Sequence, residues 1–172
     1  LRRPRRLAPV HIVSIASFLV LTCGYAASAP AQTQGVLHPT QDSFVQDSNP
    51  AGNFGVQDLW FGRGSYFGLG NIRTLVQFDL SALPADPQRI RSATFTVYQH
   101  STEPAAGGLP CDLHAATAAW SEATVTWNNQ PAYDARVWSS ADVGDSFYTG
   151  PISWDATGLV REHVSGALPN LG

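Results

Sequence analysis

The 172-residue sequence contains no lysine and no methionine, only two cysteines, and no apolar run long enough to cross a bilayer. Each shortage narrows the field. Without Lys, all ten basic residues are Arg, and four of them, Arg2, Arg3, Arg5 and Arg6, crowd the first six positions. The apolar stretch that follows, Ile12 to Cys23 (IVSIASFLVLTC), is about a dozen residues where a spanning helix needs roughly 20, so it is not a permanent anchor. Charged, apolar and then small residues, ending Ala29-Pro30-Ala31, are the order of a secretory signal peptide. Cleavage is expected after Ala31, because a cut after Ala29 would leave Pro30 first. Leu21-Thr22-Cys23 loosely resembles a lipoprotein attachment site, but Thr before the Cys is unusual and the A-x-A site lies downstream. The missing initiator Met suggests an incomplete amino terminus.

Cleavage would leave 141 residues from Gln32, enough for one domain with a sizeable core. In that part six Arg face thirteen acids, a formal charge of −7, which argues against nucleic acid or an anionic membrane as partner. Cys111 is then alone, cannot form an internal disulfide, and is expected as a buried thiol. Catalytic signatures are absent as well: no G-x-S-x-G, no H-E-x-x-H, no paired Cys for zinc and no Gly-rich phosphate loop. A carboxylate pair for glycoside hydrolysis is a matter of three-dimensional separation, which composition does not address.

What is present reads as strands. After a polar lead-in over residues 32–41, β character appears at Ser43 to Gln46, Leu59 to Gly62, Ile72 to Phe78, Ala93 to Gln99, Asp112 to Ala116, Arg136 to Ser140 and Pro151 to Trp154, separated by Gly, Pro, Asn and Ser clusters. Short strands at such spacing indicate an antiparallel sandwich or barrel. In Ala93 to Gln99 the alternation puts Phe95 and Val97 on the core face and Thr94, Thr96 and Tyr98 on the other. Phe78 and Trp127 are expected to be buried with them. One helix is expected near the C-terminus, where Ala156, Leu159, Val160 and Val164 recur behind Asp155 as N-cap, with Gly166 ending it.

Five segments stand in a recognisable order: Asp42-Ser43-Phe44-Val45 closing with Asn53-Phe54-Gly55; Arg73 to Pro84 (RTLVQFDLSALP); Ser92 to Tyr98; Trp120 to Pro131 (WSEATVTWNNQP); and Trp154 to Val160. This set resembles the DNRLRE domain, grouped with the family 96 carbohydrate-binding modules, over nearly all of residues 42–172. The resemblance implies an all-β fold, an antiparallel β-sandwich of jelly-roll type. It also implies a non-catalytic module appended to extracellular polysaccharide lyases, hydrolases or surface proteins, with alginate as an attested ligand. His163 stands where the family often has Trp. The family continues past Asn170-Leu171-Gly172 with one more apolar strand, so the domain is expected to lack its last strand and to belong to a longer product.

Sugar binding on a β-sandwich needs flat apolar faces and a few fixed polar groups. Trp60 is the aromatic candidate, because Leu59 and Phe61 should face the core on the alternate parity, and Arg63, Tyr66, Phe67 and Arg73 bracket a Gly-rich loop beside it. The plainer alternatives are that Trp60 covers a sheet edge and that Arg73 pairs with an acid. Trp120 and Trp127 favour packing; Tyr98, Tyr133 and Trp138 are ambiguous. Asp42, Asp47 and Asn53 supply oxygen ligands around a turn and could hold a structural calcium, though their spacing is not that of an EF-hand. The expected function is a secreted or cell-surface module that targets a polysaccharide, acidic glycans slightly favoured, without a membrane after signal cleavage. The alternative is an adhesive or structural surface domain without sugar affinity.

Overall fold

The computed structural model describes residues 17–23 as backbone, and residues 33–62, 70–100, 109–143 and 149–172 in full. Arg63, Tyr66 and Phe67 lie outside the described residues. Among the described residues, eight strands and one α-helix follow in chain order: β1 (Ser17–Cys23), β2 (Thr33–Leu37), β3 (Pro39–Gln46), β4 (Ile72–Phe78), β5 (Ile90–Gln99), β6 (Pro110–Leu113), β7 (Ser139–Asp142), β8 (Gly150–Asp155) and α1 (Thr157–Ser165). All pairings are antiparallel. One layer has the order β2-β1-β5-β8; the other is made of two ribbons, β3-β4 and β6-β7.

The alternation of β5 packs these layers together. Ala93 and Val97 are buried on its inner face, and Phe95 meets Phe78 of β4 edge-on at 6.0 Å and Trp154 of β8 at 5.4 Å. Trp154 crosses the interior to donate its indole N–H to the Cys111 carbonyl of β6 at 2.7 Å. The core is therefore shared by the four-stranded layer and both ribbons. Ile90, Ala93, Ala156 and Val160 gather at one end, and Val97, Val143, Ile152 and Trp154 at the other. Two expectations change here. Phe78 and Phe95 are only half-buried, because they border a gap between the ribbons; Trp127 is half-buried because it lies in the surface segment, where its ring is covered by the exposed Arg73 guanidinium and not by the core.

α1 begins and ends close to where expected. Gly166 closes it in the left-handed conformation (φ 76°), a geometry that favours Gly. The N-cap position falls on Ala156, and Asp155 caps from one residue further out, its carboxylate accepting the Thr157 N–H at 2.9 Å. That bond, with the Thr157 hydroxyl ahead of it, holds the Asp155 carboxyl below the usual carboxylate range.

Other corrections concern boundaries. Residues 59–62 form no strand beyond the bridge of Gly62 to Ile72, and the strand expected at Arg136 to Ser140 lies later, as β7. The lead-in of residues 32–41 is not a linker: it supplies β2 and the start of β3. Residues 1–31 do not all stand apart from the core either. β1 lies between β2 and β5, pairing Val20 with Val36 on one side and with Thr94 on the other. A stretch rich in Val, Leu and Phe suits a strand as readily as the apolar part of a leader, and an open strand edge rewards it with a full ladder.

Candidate functional site

The outer face of the β3-β4 ribbon is covered by the Trp120 to Pro131 segment. Ser43 and Val45 of β3 and Val125 of the covering segment are fully buried where they meet. Asn53 fastens the cover, its amide donating to the carbonyls of Glu122 and Val125, both at 2.8 Å. The segment is also braced from within. Asn129 accepts the Thr126 N–H at 2.6 Å and donates to the Thr124 carbonyl at 3.0 Å, and Asn128 N–H reaches Pro50 O at 3.0 Å. These bonds hold the single turn Trp127–Asn129, which presents the Trp127 ring beside β4.

Arg73 projects from β4 into this frame. Its guanidinium carbon is 4.8 Å from the centroid of the Trp127 ring and 5.2 Å from that of Tyr133. Its Nη1 donates to Gln130 Oε1 at 2.9 Å, and Gln130 in turn donates to the Trp127 carbonyl at 2.9 Å. Arg73 thus meets a neutral amide and two rings rather than an acid, so it keeps its positive charge and most of its five N–H donors. Tyr133 is 49 % exposed. It is backed by His114, whose ring lies 4.9 Å away and whose Nδ1 pairs with the Asp134 carbonyl at 2.9 Å. A cation flanked by aromatic faces on an open surface can stack a pyranose and bond its carboxylate or hydroxyls together.

The residues singled out from sequence are dispersed. Trp60 is half-buried and stacks on Phe44 at 6.1 Å, with Phe54 also on Phe44 at 4.3 Å. Phe44 pairs across from Thr74, and Val45 across from Arg73. Neighbouring strand residues point to opposite faces, so Trp60 and Arg73 serve opposite sides of the ribbon. Trp120 donates its indole N–H to Leu171 O at 2.8 Å, a packing role. Trp138 lies under the Arg136 guanidinium at 4.2 Å, and Arg136 pairs with Glu162 at 2.9 Å.

The three oxygen-bearing residues around the β3 turn are also engaged separately. Asp47 accepts from the backbone and side-chain amides of Asn71 at 2.8 and 2.6 Å, while Asn53 holds the covering segment. Asp42 sits by Glu122, and burial followed by that like charge raises its carboxyl above the usual range. Among the described residues no group of three or more His, Cys, Asp or Glu side chains gathers to hold a metal ion. No helix among them is long and apolar enough to cross a membrane.

A family model, carbohydrate-binding module family 96, matches residues 33–169. The chain belongs to this family. It is a non-catalytic carbohydrate-binding family, in keeping with the lack of catalytic motifs. A gellan lyase from Bacillus sp. is 33 % identical over 122 residues, which cover 70 % of this chain and 5 % of the lyase. The chain therefore spans a small fraction of the curated relative it matches. No solved structure matches significantly. Sequence reasoning had chosen Arg73 but not its companions: Trp127, Gln130 and Tyr133 lie more than fifty positions away, the first two marked only by membership of the Trp-rich motif and Tyr133 by no motif at all.

Proposed function

We propose that this module holds an extended acidic polysaccharide across Arg73, Trp127 and Tyr133, for an exported polysaccharide-acting protein of which it forms part. The observation that carries the reading is the exposed Arg73 guanidinium between two aromatic rings, bonded to an amide instead of an acid. The leader-like order of residues 1–31 supports export, and the similarity to a protein named gellan lyase supports attachment to a polysaccharide-acting enzyme.

Charge makes the surface selective. The −7 formal charge of residues 32–172 repels a polyanion, but at physiological salt that repulsion is screened beyond about 8 Å. A local Arg–carboxylate contact is worth about 1.5–3 kcal/mol and outweighs it at contact distance. Affinity electrophoresis against gellan, alginate, xylan and cellulose tests this. Tyr133→Ala is expected to weaken retardation by every ligand bound, through lost stacking. Arg73→Ala is expected to weaken gellan and alginate by about tenfold or more and to leave the neutral glycans unchanged. Retardation that neither substitution alters places the site elsewhere; no retardation by any glycan gives the adhesive or structural reading precedence.

A further inference from the structure

The chain has no Lys, so its permanent cationic side chains are all Arg. Among the described residues, Arg73 is the one guanidinium at its end of the β3-β4 ribbon. Arg161 donates to the carbonyls of Ile90 and Arg91, which gathers Arg89, Arg91 and Arg161 at the end of the core where Phe78 packs. Arg73 pairs across from Val45, next to Ile72 and at the far end of β4 from Phe78. Arg136 is close to Tyr133 in sequence, but Glu162 matches its charge at 2.9 Å and its guanidinium lies over Trp138. With Trp127 and Tyr133 beside it and Gln130 on Nη1, the exposed Arg73 has donors left to grip one carboxylate in two parallel bonds.

Two acids stand near that cation. Asp47 comes two residues after Val45, the residue opposite Arg73, and its N–H reaches Asn71 O at 3.1 Å. Its carboxylate accepts the backbone and side-chain amides of Asn71 at 2.8 and 2.6 Å. Asp134 adjoins Tyr133, and its Oδ1 accepts the Arg136 N–H at 3.0 Å. Both carboxylates are thus fixed by amide donors, and neither forms an ion pair among the described residues. Amide bonds orient a carboxylate and leave its charge in place. A polyanion lying over Arg73 therefore meets uncompensated negative charge at Asp47 and at Asp134.

We propose that the ligand of this surface is an acidic polysaccharide whose carboxylates are isolated among neutral sugars, and that a chain charged at every sugar is held less well. The inference rests on the binding reading above and narrows its ligand. One carboxylate on Arg73 gains a charge-assisted, bidentate contact. Every further carboxylate within about 8 Å of the surface finds no free guanidinium there, and it adds repulsion from Asp47, Asp134 and the −7 charge of residues 32–172. Adjacent sugars of a polyuronate bring their carboxylates inside that distance. Neutral sugars offer a ring face to Tyr133 without the penalty.

Homogalacturonans of one length and graded methyl esterification vary the carboxylate spacing on a constant backbone, and carboxymethylcelluloses of graded substitution do so on another. Affinity electrophoresis of the full chain against both series at low salt is expected to give the strongest retention at an intermediate charge density. The fully acidic galacturonan and the most substituted cellulose are expected to bind about tenfold more weakly than that optimum. Arg73→Ala is expected to abolish the optimum. Asp134→Asn keeps an oxygen for the Arg136 N–H and removes one charge; it is expected to strengthen binding of the densely charged chains by about two- to fivefold and to leave uncharged chains unchanged. Retention that climbs steadily with carboxylate content, or dense-chain binding that Asp134→Asn leaves unaltered, overturns the preference for isolated charge while the Arg73 site stands. Retention in neither series, or an optimum that survives Arg73→Ala, overturns the Arg73 site itself and this inference with it.

Discussion

Glu122 shows how much one residue of this domain can hold together. Its carboxylate accepts the Asp42 N–H, its own N–H donates to Gln41 Oε1, and its carbonyl takes the Asn53 amide. Gly55 must be Gly beside it, since a Cβ there would collide with the Glu122 carbonyl. His163 carries a pH consequence of its own. Burial lowers its pKa from 6.5, outweighing the bond its Nδ1 makes toward Leu168 O. The folded chain therefore binds a proton there less readily than the unfolded chain. Stability from this group is present above 6.5 and is lost as pH falls from 6.5 toward the lowered value. Replacing His163 with Gln is expected to make the decline of Tm across that window shallower than in the unaltered protein, as thermal melts at stepped pH would show.

The element that matters most is the Trp120 to Pro131 segment, which has little regular structure and a large positional role. It buries Ser43 and Val45, fixes Trp127 against Arg73, and is tied down by Asn53 from a separate loop. Removing the Asn53 amide leaves two carbonyls without their donor. Asn53→Ala is expected to cost about 1–3 kcal/mol in a urea melt and to weaken glycan retardation along with it. An equal loss of stability from a substitution in α1 that spared retardation would show that the segment, and not global stability, carries the effect. The strands are more uniform. β4 alternates plainly, with Ile72, Thr74, Val76 and Phe78 on one parity and Arg73, Leu75 and Gln77 on the other.

At the scale of the whole molecule, the four-stranded layer depends on β1, which lies between β2 and β5. β1 gives β5 a ladder from Ser17 to Cys23 and separates it from β2. Cutting the chain after Ala31 severs β1 from the domain, and its departure would leave backbone groups of β5 unpaired. The cut protein is expected to self-associate or melt earlier than the uncut protein, a difference that light scattering and a thermal melt would detect. An unchanged mass and Tm would mean that β2 takes over the vacated edge.

Much of the architecture was legible locally. Ile72–Phe78 matches its expected bounds, Phe95 and Val97 face inward, and Gly166 stops the helix, because side-chain period and left-handed caps are properties of a few neighbouring residues. The candidate site was legible only in part. Trp60 and Arg73 are close in sequence, yet register with β3 turns them to opposite faces, since a shift of one residue reverses a strand's sides. Arg73 meets Trp127 and Tyr133 only after the covering segment folds over β4, a contact made across more than fifty residues. Which stretches alternate, where turns interrupt them and what family they form follow from the order of residues along the chain. Tertiary structure decided which aromatic ring meets which cation, because that choice depends on strand register and on the long-range bonds that clamp one loop over another.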